Sequence, residues 1–179
     1  MALNRTGLAG MQPRIIALLP RLRRFCQGLA GTPYDGDDLM QATVERALTR
    51  AHQFDEGTRL DSWMYRIAQN LHIDRARSQK RRGTSVDLEA AEALTGDDGR
   101  QITEARSDLA AAQAVLQALP EDQRATFLLV VIEGLSYRET AEAMDVPIGT
   151  VMSRIARARQ RIAEELAMIR KPARQETTE

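Results

Sequence analysis

With a single cysteine in the chain, Cys26, no disulfide framework or cysteine-rich zinc site can form. Phe25 and Leu29 flank it, the setting of a buried structural thiol rather than a reactive one. Histidine is scarce too. His52 and His72 are the only two, and neither stands in a His/Asp/Glu cluster with metal-ligand spacing. No P-loop or other glycine-rich phosphate cradle is present, so an enzyme acting on nucleic acid is the poorer reading and no cofactor is expected. No apolar run approaches the roughly 20 residues that span a bilayer. Leu8 to Met11 is too short and broken for a secretory signal, so the expectation is a cytoplasmic protein without membrane insertion. Strand-like alternation is absent as well, which leaves an all-α fold.

The acid–base balance hides a pattern. The 25 basic and 25 acidic residues give no net charge, yet 1–83 carries 14 basic against 8 acidic residues. Between 84 and 108 the count reverses to 2 against 7, and from 109 onward it is 9 against 10. Two basic surfaces separated by an acidic connector point to polyanionic partners more than the total does.

Apolar spacing predicts a first helix from Pro13 to about Leu29, with Ile15, Leu18, Leu22 and Phe25 on one stripe and Gly31 and Pro33 beyond its end. A second helix is expected from about Asp37 to Ala51, the two aspartates at its N-terminus complementing the helix dipole. Phe54 to Leu60 reads as a loop, and a third helix as running from Asp61 or Ser62 to near Arg81, ending in a basic cluster. Trp63 shares a face with Ile67 and reads as core rather than as a base-stacking aromatic. These helices make an N-terminal bundle over 12–83. An acidic flexible linker follows over 84–106, and a C-terminal helical domain over 107–170. Two small helical domains, flexibly joined when the chain is free, are therefore expected.

The C-terminal domain carries the sharpest local signal. Ser136 and Glu139 form a capping box that starts one helix, and Asp145-Val146-Pro147 makes a tight turn with Pro147 at the first position of the next. That next helix puts Val151, Ile155, Ala158 and Ile162 on one side, and Arg154, Arg157 and Arg161 on another. A short helix, a turn and a basic amphipathic helix form a helix-turn-helix, the geometry that seats a recognition helix in a major groove. Such shapes also serve protein–protein contacts, so this segment alone leaves a stand-alone transcription regulator open.

Two motifs in order narrow the choice. The first is Asp38-Leu39-Met40-Gln41-Ala42-Thr43-Val44-Glu45-Arg46-Ala47, followed by Phe54-Asp55 and by Ser62 to Arg75. The second is Leu119 to Arg124, then Gly134 to Ala141, then Gly149 to Arg154. Together they resemble the two domains of an extracytoplasmic-function (ECF) sigma factor of the sigma-70 family, over about Pro13 to Ile169. The resemblance implies binding to bacterial core RNA polymerase and to promoter DNA, control by an anti-sigma factor, and no small-molecule substrate.

By the same resemblance, Asp38, Gln41, Glu45 and Arg46 are core-polymerase contacts. Phe54, Asp55, Gly57, Arg59 and Asn70 belong to the part that captures a base flipped from the −10 element. An asparagine amide suits that task because it offers both donors and an acceptor, although Asn70 also fits a plain exposed position. Arg75, Arg77, Lys80 and Arg81 would hold phosphates. Thr150, Met152, Ser153, Arg154 and Arg157 match positions facing the −35 element, with Arg124 and Arg138 as phosphate clamps. The chain departs from the family where Met152 replaces a common Arg or Lys and Ala156 a larger side chain, so fewer phosphate contacts are expected. Asp87, Glu89, Glu92, Asp97 and Asp98 of the linker imitate RNA charge in this picture, with a solvated spacer as the alternative.

Overall fold

The structure, a computed structural model, describes residues 5–82 and 110–169. The acidic linker, with the residues assigned to RNA mimicry, lies outside them. Helix α1 spans Arg5–Ala30, eight residues longer at its start than the spacing suggested. Pro13 and Pro20 both lie inside it. Each removes a helical N–H and crowds the carbonyl four residues back. Both prolines are exposed, so water can serve the freed carbonyls, while buried Met11, Ile15, Leu18 and Leu22 carry the apolar stripe through. Gly31, at φ 87°, ends the helix in the left-handed region.

Helix α2 spans Pro33–Thr49, not Asp37 to Ala51. The Thr32 side chain accepts from the Asp35 N–H, and Pro33 fits the first turn, so the proline assigned to stopping one helix starts the next. After a 3-10 turn (Ala51–Gln53), α3 spans Leu60–Arg82, within two residues of expectation at each end.

In the second part, α4 is helical over 110–117 and Pro120 separates it from α5 (Glu121–Phe127). After Phe127 the helix changes to a π turn over Leu128–Ile132, closed by the Glu133 N–H donating to the Leu128 carbonyl at 2.9 Å. Helix α6 (Tyr137–Met144) has both halves of the Ser136–Glu139 capping box. Asp145 turns the chain at φ 55°, and α7 runs Ile148–Ile169, with Pro147 just ahead of it.

The halves share one hydrophobic core. Leu22, Phe25 and Leu29 of α1 and Met64 and Tyr65 of α3 pack in the same cluster as Leu128, Leu129, Leu135 and Met144. The described residues thus form one closed arrangement, with α3 lying directly on α6 and α1 on α5. Among the described residues no helix is long and apolar enough to cross a membrane.

Candidate polymerase and promoter surfaces

Helices α1 and α2 approach closely because Gly36 has no side chain: a Cβ there would meet the Gln27 backbone at 2.5 Å. Beside that contact lies an open groove lined by Leu19, Met40 and Val44 at its floor and by Arg23, Asp38 and Gln41 at its rim. Arg23 donates twice to Asp37, at 2.7 and 2.6 Å, and holds that carboxyl below the usual carboxylate range. The sequence-assigned polymerase contacts share this surface. Asp38, Gln41 and Glu45 are exposed, Arg46 is half-buried, and Gln41 donates to Glu45 at 3.0 Å. Cys26, on the buried side of α1, has its thiol pushed up to about 12 by that burial, the setting of a structural thiol.

The −10 assignments divide. Phe54 is not available to a base: its ring is buried against Trp63 at 5.2 Å, with the Arg14 guanidinium over its outer face. The spacing could have flagged it, since an aromatic before an Asp-Glu-Gly-Thr loop is the natural anchor for that loop. Asp55 accepts from the Gly57 N–H at 2.9 Å and so shapes the exposed loop between Phe54 and α3. Asn70 projects from α3 into solvent, as do Arg77 and Arg81 further along the same helix. The Lys80 side chain lies outside what the structure describes. Arg75 is exposed and donates to the Asp38 carbonyl at 3.4 Å, tying the basic end of α3 to α2.

Arg59 is exposed but engaged. It pairs with Asp61 at 2.6 Å and with Glu139 of the capping box. Burial raises the Asp61 pKa, but hydrogen bonds from Arg59 and the Ser62 N–H, with the charges of Arg59 and Arg21, leave it net lowered.

In the helix-turn-helix, Arg138 is well exposed and pairs with Glu142, four residues on, at 3.3 Å. On α7, Met152 and Arg157 are exposed, and Thr150 and Ser153 are half-buried, with the Ser153 hydroxyl donating to the Thr150 carbonyl at 3.0 Å. Arg154 points elsewhere: only 18% of its side chain is exposed, and Asp122 at the start of α5 holds it at 3.0 Å. Arg124 differs more from its phosphate-clamp assignment. It is 8% exposed and donates to the Leu29 carbonyl at 3.0 Å, facing the N-terminal half rather than a groove.

Sequence reasoning passed over the residues that join the halves. The Glu133 side chain has no exposed surface, and Arg21 and Arg24 reach it at 3.0 and 3.3 Å. Tyr65 donates to the same carboxylate at 3.1 Å. Arg66 donates to the carbonyls of Glu142 and Ala143 at the end of α6. The available signal was a lone acidic residue closing the apolar run Phe127 to Ile132.

Known proteins share this organisation. Residues 15–82 match the family model for Sigma-70 region 2, and residues 109–162 that for Sigma-70 region 4. The chain is 34% identical over 149 residues to the ECF RNA polymerase sigma factor EcfG of Rhodopseudomonas palustris (strain TIE-1), covering 83% of this chain and 81% of that protein. The sigma factor RpoE from Bartonella quintana, solved in complex with the anti-sigma factor NepR, superposes with a TM-score of 0.73 at 28% identity, over 90% of this chain and 99% of that one. CnrH, solved with the cytosolic domain of CnrY, gives a TM-score of 0.69 at 22% identity over 92% and 94%, a likeness of fold.

Proposed function

The chain belongs to the extracytoplasmic-function group of the sigma-70 family, and from that premise we propose how its surfaces divide the work of promoter recognition. It is an RNA polymerase sigma factor: it binds core RNA polymerase, directs recognition of the −10 and −35 elements, and is controlled by an anti-sigma factor. The observation that carries this is the presence of region 2 and region 4, in that order, in one chain. A stand-alone regulator accounts for the helix-turn-helix but not for region 2.

In this reading the segment 12–83 holds core polymerase through the exposed edge of α2, at Asp38, Gln41, Glu45 and Arg46. Asn70 reads the −10 base, with Asp55 and Gly57 shaping the adjoining loop and Arg77 and Arg81 contacting phosphate. The segment 107–170 reads the −35 element through Thr150, Met152, Ser153 and Arg157, with Arg138 on a flanking phosphate. Arg154 serves this surface indirectly, by bracing α7 against α5. The chain supplies specificity in the cytoplasm, and the polymerase performs the chemistry. The RpoE likeness extends over both halves, which supports an anti-sigma factor acting by stabilising the closed arrangement.

Run-off transcription from a promoter library with core polymerase tests this. Transcripts that require the protein, and that fall at least tenfold with Asn70→Ala or Arg157→Ala, are expected. Tight, salt-sensitive promoter binding by the protein alone, with no effect on polymerase, would favour the regulator instead.

A further inference from the structure

The exposed face of α7 is not uniformly basic. Ile148, Met152 and Ala156, spaced four residues apart, form an apolar row along the solvent side of the recognition helix. Ile148 is 50% exposed and Met152 54%, so neither is occupied by the core. Beside this row stand the polar side chains of Ser153 and Arg157. Val151, Ile155 and Ala158 complete the helix on its buried side. Arg154, the first basic residue of α7, is withdrawn from this face by Asp122. The part of the helix that enters a groove first therefore presents carbon where an arginine would present paired donors.

In the major groove only thymine offers an apolar feature, its C5-methyl group; the other edges are donors and acceptors that a thioether and a methyl cannot satisfy. Met has an unbranched, polarizable side chain that adapts to the position of such a group. We propose that Met152, aided by Ala156, reads the −35 element by packing on a thymine methyl, and is a specificity-determining residue of this sigma factor. The inference rests on the assignment of α7 to the −35 element and names the base feature it takes. It accounts for Met152 at a position where an arginine or lysine would take phosphate or guanine: the exchange gives up charge and gains discrimination of thymine from cytosine.

Uracil lacks only the methyl, so single thymine-to-uracil replacements isolate the contact. Each thymine of the −35 element, in either strand, is replaced in turn in a promoter that the protein-dependent holoenzyme transcribes, and complex formation is measured. For the unaltered protein, at least one replacement is expected to weaken the complex about fourfold, the worth of one buried carbon. With Met152→Ala the same replacement should have no effect. Met152→Lys should lose the uracil sensitivity and steepen the salt dependence by about one phosphate contact. Uracil sensitivity absent throughout, or unchanged in Met152→Ala, overturns the inference while leaving sigma function intact. If no promoter requires the protein even with thymine present, the −35 assignment fails first and this inference with it.

Discussion

Burying a carboxylate costs several kcal/mol unless partners restore what water gave. Glu133 meets that cost with two guanidinium groups and a phenol, and its partners are unequal to it in burial: the side chains of Arg21 and Arg24 keep 36% and 54% of their surface. The asymmetry predicts opposite consequences for the two sides of the cluster. Arg21→Ala with Arg24→Ala strands the carboxylate in the core and should cost about 3–5 kcal/mol. Glu133→Gln leaves arginines that water can reach and should cost about 1–2 kcal/mol. Urea unfolding of both variants checks the order, and a larger loss for Glu133→Gln would contradict it. His72 of α3, within the field of Glu121 and Arg124 of α5, gives a separate test through pH. Burial lowers its pKa, Arg124 and Arg75 lower it further, and Glu121 partly opposes them. The unfolded chain thus binds a proton near pH 6.5 that the folded chain refuses, so this contribution is full above that pH and is lost as pH falls toward the folded value. Stability should decline from pH 7.5 to 5.5, with a slope that shrinks in His72→Gln.

At the scale of the helices, the most exacting contact is between α1 and α2. Gly36→Ala would drive a methyl into the Gln27 backbone, which cannot rotate away as a side chain could. A loss of about 1–3 kcal/mol is expected from overpacking, together with weaker binding to core polymerase because the groove between these helices must widen. Thermal unfolding and a polymerase pull-down read the two effects, and unchanged stability would rule out the close approach. Elements whose signals are local were legible in the sequence. Ser136 and Glu139 cap α6 with their own side chains, and the four-residue spacing of Val151, Ile155 and Ala158 orients α7. The sequence was silent where a neighbour decides. Pro33 reads as a stop or a start until Thr32 is seen to cap the helix behind it. Pro13 looks like a first residue until Met11 is found in the core ahead of it. Arg124, Arg154 and Phe54 were placed by their position in a motif, and only packing reveals that each is turned inward or held. Asn70, Arg157, Asp38, Gln41 and Glu45 stand exposed on their helices, a placement that needs no partner to be located.

For the whole molecule, the closed arrangement and the task set a geometric conflict. Elements centred near −10 and −35 lie roughly 25 base pairs apart, about 85 Å of duplex at 3.4 Å per pair. In the closed form α3, which bears Asn70, packs directly on α6, the first helix of the helix-turn-helix. Packed helices lie about 8–10 Å apart, and the 22-residue α7 is only about 33 Å long. No orientation of this form lets α3 and α7 reach both elements together. Arg59, paired with Glu139, and Arg124, beneath the Leu29 carbonyl, are released only when the halves part. Parting exposes the apolar side chains of the shared core and leaves Glu133 without Arg21 and Arg24, so it needs a partner that covers the freed surfaces. We predict that core polymerase supplies that cover and favours the open form, whereas promoter DNA alone does not. Dyes at Gln12→Cys on α1 and Gln160→Cys on α7 can follow the motion, because buried Cys26 does not compete for labelling. Energy transfer should be high and uniform in the free protein, fall on addition of core polymerase, and stay unchanged with promoter DNA alone. Low transfer in the free protein would mean that the halves are already apart, and the shared core would then have no part in restraining the sigma factor.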